Sequence, residues 1–137
     1  MDLVIHTDGG SLNNPGPSAC SYVINAGDRL IREASFFLGV QTNNVAEYMG
    51  VIHALEAVDK ITKKERVVSC AFVSDSLLLV NQIKGLYKVR QPHLKPLFTR
   101  ATNLIKDIGI PISFRHTLRE GNVRADYLVK RELSSHS

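Results

Sequence analysis

Near Asn44 the apolar residues of this chain change their spacing, and that change limits the folds open to it. Before it, apolar runs at residues 3–8, Ala19 to Ile24 and Arg29 to Leu38 are broken by the turn-forming stretches GGSLNNPGP and NAGD. Runs of this kind read as consecutive hairpins. After it, Val45, Tyr48, Met49, Ile52, Leu55 and Val58 recur at helical spacing, and Ala46, Gly50, Ala54 and Ala57 form a strip of small residues beside them. A small-residue strip lets a helix lie close on a sheet. The pattern then predicts a strand at Val67 to Ser74, helices at Ser76 to Lys84 and Pro92 to Lys106, a strand at Ile110 to Leu118 and a helix at Asn122 to Leu133. The tail SSHS is expected to fray. This order implies an α/β fold on a mixed sheet, antiparallel at first and parallel where helices make the crossovers.

A length of 137 residues is that of one domain, expected over 1–137. With 44% hydrophobic and 22% charged residues, the composition is that of a globular protein and excludes collagen-like and disordered classes. No stretch approaches the apolar length of a membrane span, and MDLVIHTD lacks the basic start of a signal peptide, so a cytoplasmic protein with no membrane partner is expected. The two cysteines, Cys20 and Cys70, sit in apolar surroundings without metal-type spacing and are expected as buried thiols. Between Asp75 and Asp107 there is no acidic residue, whereas Lys84, Lys88, Arg90, Lys95, Arg100 and Lys106 all fall there, with Tyr87, His93 and Phe98 interleaved. A one-signed segment is either a phosphate-facing surface or a solvated helix face.

Four carboxylates stand at predicted element ends: Asp8 and Asp75 after apolar strands, Glu47 and Asp126 on the first turns of helices. Each has a plain structural explanation. Asp8 could close an Asx-turn, Asp75 could cap the next helix, Asp126 could favour a helix dipole, and Glu47 could complete a capping box begun by Asn44. Coincidence is what these explanations leave out. In open α/β sheets ligands gather beyond the carboxyl ends of strands, and aspartates on neighbouring ends repel unless a cation lies between them. Oxygen donors without paired His or Cys favour Mg²⁺ or Mn²⁺ over zinc. Two such ions about 3.5 to 4 Å apart can hold both the attacking water and the leaving oxygen of a phosphodiester.

The motifs TDGGSLNNPGP at 7–17, TNNVAEYMGVIHALE at 42–56, VSDSLLLVNQIKGLYKVR at 73–90 and REGNVRAD at 119–126 resemble, in order, those of the type 1 ribonuclease H family. Together with the pattern, the resemblance implies a ribonuclease H-like five-stranded mixed sheet, strands 1 to 3 antiparallel, strands 4 and 5 parallel to strand 1, with helices on both faces. It implies an endonuclease that hydrolyses the RNA strand of RNA/DNA hybrids with two Mg²⁺ ions, Mn²⁺ being a possible substitute, and leaves 5′-phosphate and 3′-hydroxyl ends. By position, Asp8, Glu47, Asp75 and Asp126 match the metal-binding and catalytic carboxylates. Gly9, Gly10, Ser11, Asn14, Asn43 and Asn44 match residues that approach the hybrid's minor groove, where RNA displays its 2′-hydroxyls. Thr42 matches a position that grips a DNA phosphate.

Three departures bear on these expectations. There is no tryptophan and the segment from Lys84 to Pro96 is short, in contrast to members with a basic protrusion, which leaves hybrid affinity to Lys84, Lys88 and Arg90. Leu77 replaces a glutamine that in some members contacts bases. Ungapped counting from Asp126 puts His116 at the family's mobile catalytic histidine, but strand alternation also accounts for His116, and a short loop would put Arg119 or Glu120 there instead. A monomer is expected. Two other readings stand behind this one: a hybrid- or double-stranded-RNA-binding module without activity, which would have little need of all four acids, and a metal nuclease of the same fold that cuts DNA, against which the groove asparagines discriminate.

Overall fold

The computed structural model describes residues 1–136. In chain order the elements are β1 (Asp2–Ser11), β2 (Gly16–Ala26), β3 (Arg29–Gln41), α1 (Asn43–Thr62), β4 (Ser69–Ser74), α2 (Leu77–Ile83), α3 (Lys95–Ile108), β5 (Ile112–His116), a 3-10 turn (Arg119–Gly121) and α4 (Val123–Ser134). The strands form one five-stranded sheet in the order β3-β2-β1-β4-β5. β1, β2 and β3 pair antiparallel, whereas β4 is parallel to β1 and to β5, as the helical crossovers require. The expected topology is the observed one. Among the described residues no helix is long and apolar enough to cross a membrane.

Each face of the sheet takes a different helix. Leu3 and Ile5 of β1 are buried in the main core with Tyr48, Val51, Ile52 and Leu55 of α1. Two glycines allow the approach between β1 and α1. A Cβ on Gly50 would lie 2.8 Å from the Asp8 carbonyl oxygen, and one on Gly9 would fall inside the Ala46 carbonyl group. On the opposite face Val23 of β2 packs with Ala125 and Leu128 of α4 in a smaller cluster.

The structure redraws several expected boundaries. Gly9 to Ser11 belong to β1 instead of a loop, because the ladder to β2 continues to Ser11↔Ser18. Asp8 therefore lies inside β1 and not at its end. What stops there is the parallel partner: β1 and β4 pair only as far as Thr7↔Ser74. Helix α1 is capped by Thr42, whose hydroxyl accepts from the Val45 amide at 3.3 Å, so Asn44 is no cap and Glu47 lies beyond the first turn. The capping-box explanation of Glu47 is thereby removed. Ser76, not Asp75, caps α2 through the Leu79 amide at 3.2 Å. Asp126 does lie on the first turn of α4.

The strand expected from Val67 starts at Ser69, the helix expected from Pro92 starts at Lys95, and the last strand is shorter than expected. The tail does not simply fray: α4 continues to Ser134, and the His136 ring stacks on Phe37 at 4.0 Å. Its last residue lies outside those described. Both cysteines are buried free thiols, and burial first of all pushes Cys20 up to about 12 and Cys70 up to about 11.

Candidate active site

Where β4 stops, β1 runs on alone beside β2, and the edge so formed gathers the acids. Asp8 sits one residue past the last β1–β4 pair and Asp75 one residue past β4. Glu47 reaches them from α1 because the helix lies on β1 at Gly9 and Gly50. One carboxylate oxygen from each of Asp8, Glu47 and Asp75 lies within 4.8 Å of the others. Asp126 lines the same cleft, of about 530 Å³, but stands outside that trio, with its Oδ2 3.0 Å from Lys130 Nζ.

Crowded carboxylates in a poorly solvated place hold protons. Asp8 is 6% exposed, and burial, then the charges of Asp75 and Asp126, push it up to about 7. Glu47 is raised well above the usual carboxylate range by burial and then by Asp8 and Asp75. Asp75 is raised by burial and by Asp126, against a downward pull from Arg119. A divalent cation between these oxygens would remove the repulsion, and an all-oxygen donor set suits Mg²⁺ or Mn²⁺. The residues present fit a hard cation.

Beside the acids, Gly9, Gly10, Ser11, Asn43 and Asn44 line the cleft. Their arrangement is fixed by hydrogen bonds that fasten the β1–β2 turn to the start of α1. The Ser11 amide donates to Asn43 Oδ1 at 2.8 Å, the Asn43 amide donates to Asn14 Oδ1 at 2.9 Å, and the Ser11 hydroxyl donates to the Gln41 carbonyl at 3.0 Å. Asn14 thus supports Asn43 from outside the cleft. Thr42 lines a neighbouring cavity of about 560 Å³ with Val40, Met49 and His93. Lys84 caps α2, and Lys88 and Arg90 follow in the irregular segment before α3, all exposed; Lys88 and Arg90 line a shallow cavity with Tyr87.

His116 is the last residue of β5, paired with Ser74, exposed and outside the cleft. Arg119, on the 3-10 turn, lines the cleft instead and is the cation that draws Asp75 down. The path from the end of β5 through residues 117–118 to the 3-10 turn thus sets Arg119, and not His116, on the cleft. Three residues close to the acids carried no signal in the sequence reading: Lys130, Ser21 and Asn122. Lys130 could have been found from its i,i+4 spacing to Asp126. Ser21 is visible only once the β1–β2 register places it opposite Asp8.

The family described as Reverse transcriptase-like matches residues 6–132. A bifunctional protein of Mycobacterium tuberculosis is 36% identical over 130 residues, 93% of this chain, and the chain spans only 34% of that protein's length. Ribonuclease H of Prosthecochloris aestuarii is 31% identical, with 97% of this chain and 96% of that protein covered. Among solved structures, LC11-RNase H1 in complex with an RNA/DNA hybrid superposes with a TM-score of 0.92 at 35% identity, covering 98% of each chain.

Proposed function

The chain belongs to the ribonuclease H family, and on that footing we propose that it is an endonuclease that hydrolyses the RNA strand of RNA/DNA hybrids. Convergence of the Asp8, Glu47 and Asp75 oxygens within 4.8 Å carries this reading. In it, Asp8, Glu47, Asp75 and Asp126 hold two divalent ions, Mg²⁺ by preference with Mn²⁺ as a substitute. Such ions, when bound, supply Lewis acidity to a phosphodiester and lower the pKa of water.

The chain's own residues do the rest. Lining the cleft, Gly10, Asn43 and Asn44 offer bare backbone and carboxamides to a minor groove, where contacts to 2′-hydroxyls distinguish RNA from DNA. Asn14 and Ser11 hold Asn43 in place for that contact. Arg119, whose charge already acts on Asp75, orients a phosphate at the mouth of the cleft, and His116 is assigned no step. Lys84, Lys88 and Arg90 add sequence-independent attraction to the duplex backbone, and Thr42 contacts a phosphate of the DNA strand. Every proposed ligand comes from one chain, so a monomer suffices for this reading.

An end-labelled hybrid incubated with the protein and Mg²⁺ tests this reading. RNA-strand fragments with 5′-phosphate and 3′-hydroxyl ends are expected, with the DNA strand intact. An uncut RNA strand across a wide enzyme range, or preferential cutting of duplex DNA, would overturn it.

A further inference from the structure

The carboxylate trio is built by β1, β4 and α1, whereas Asp126 arrives on α4 from the other face of the sheet. Something must fix that helix relative to the strands. Packing of Ala125 and Leu128 on Val23 and the contacts Ser35–Glu132 and Arg124–Glu33 hold the helix as a whole, and two buried hydrogen bonds fix its first turn beside the acids. Asn122 Nδ2 donates to the Thr7 carbonyl at 2.8 Å, tying the residue that precedes α4 to the residue that precedes Asp8. Ser21 Oγ donates to the Ala125 carbonyl at 2.7 Å, tying the residue opposite Asp8 on β2 to the residue that precedes Asp126. Each bond ends one residue from an acid, so the two ties span both sides of the gap between β1 and the first turn of α4.

Neither side chain has another visible task. Asn122 is 1% exposed, precedes the helix without capping it through its side chain, and its Oδ1 has no protein partner among the described residues. Ser21 is fully buried in a sheet position flanked by Tyr22 and Cys20, where an apolar residue would ordinarily stand. Buried polar groups of this kind fix one arrangement over close alternatives.

We propose that Ser21 and Asn122 are positioning residues that set Asp126 relative to Asp8 and so govern how well the acids share a divalent ion. The inference rests on the metal-site reading above. Groups that orient ligands typically change metal affinity or activity by about 10- to 100-fold when removed.

The test uses the full chain carrying Ser21→Ala, which deletes the hydroxyl and leaves the helix carbonyl its helical partner. Mn²⁺ binding to the protein alone is followed by electron paramagnetic resonance, and hybrid cleavage is followed separately. Expected results are Mn²⁺ affinity and kcat each lowered about tenfold, the hybrid KM unchanged, and no further loss of Mn²⁺ affinity when Ser21→Ala is added to Asp126→Asn. Asn122→Ser, which shortens the reach to Thr7, should behave alike; if it fails to fold, Ser21→Ala alone decides. Unchanged Mn²⁺ affinity in Ser21→Ala, or a loss that adds in full to that of Asp126→Asn, would overturn the proposal. Because Mn²⁺ binding is read without substrate, a parent protein that binds Mn²⁺ but leaves hybrids uncut would refute the proposed function and still decide this one.

Discussion

Asp8 and Asp75 are neighbours because β4 ends at Ser74 while β1 continues to Ser11, so that parallel pairing stops at Thr7↔Ser74 and both aspartates fall just beyond it. A strand-length mismatch of this kind opens a notch at the carboxyl ends of the strands, the place where open α/β sheets put their ligands. The acids are crowded by backbone geometry, and their chemistry follows from the crowding.

Stability should respond to pH through this crowding. Without divalent ions the folded chain keeps the Asp8 proton up to about pH 7, whereas an unperturbed aspartate loses it near 3.8. Between those values the folded state binds more protons than the unfolded one, so this contribution to stability is present at low pH and is lost as pH rises toward 7. Glu47 and Asp75, also raised, act in the same direction. In EDTA the Tm of the parent should therefore fall relative to that of Asp8→Asn as pH goes from 4 to 7, and Mg²⁺ should restore it at neutral pH. A parent Tm that gains on the variant over this range would contradict the crowding.

Gly50→Ala tests how α1 delivers Glu47. The added methyl would sit 2.8 Å from the Asp8 carbonyl oxygen, and the obstructing atom is backbone. Overpacking of this sort costs about 1 to 3 kcal/mol, and relief requires α1 to lift away from β1 with Glu47 on it. Thermal melts with and without Mg²⁺ should show a lowered Tm and a smaller gain from the ion. A normal gain would mean that Glu47 does not depend on this contact.

Arg119 and His116 make opposite predictions. Arg119 lines the cleft, and loss of one preorganised donor to a phosphate lowers kcat by about 10² or more, so Arg119→Ala should be severely impaired at saturating hybrid. His116→Ala should cleave at close to the parent rate. The reverse ranking in steady-state kinetics would return the proton-transfer role to the histidine.

Replacing Lys84, Lys88 and Arg90 by alanine should raise KM without lowering kcat. Each lost phosphate contact should also reduce the slope of log affinity against log salt by about 0.9. A salt titration of hybrid binding reads this directly; an unchanged slope would remove the segment from the interface.

Asp8 and Asp75 were legible because charge at the end of an apolar run is conspicuous, Glu47 and Asp126 chiefly because the motifs around them resemble those of the family, and the topology because helices between strands force parallel crossovers. Sequence reading misplaced features that depend on partners distant in the chain. Gly9 to Ser11 look like a loop until β2 is seen to pair with them, and Asn44 looks like the helix cap until Thr42 is seen to accept the Val45 amide. Ser21 shows no periodicity or motif, since its meaning lies in a hydrogen bond to Ala125, more than a hundred residues away. Whether His116 or Arg119 faces the acids turned on the path of residues 117–122, which ungapped counting cannot follow.

The most direct test of the account is Asp8→Asn assayed against a labelled RNA/DNA hybrid in Mg²⁺, with cleavage and binding measured on the same preparation. Loss of an ion-holding carboxylate at the centre of the trio should remove several kcal/mol of transition-state stabilisation, a drop in kcat of about a thousandfold or more, while hybrid affinity stays near that of the parent. Cleavage retained at the parent rate would exclude Asp8 as a metal ligand and contradict the active site described for this chain.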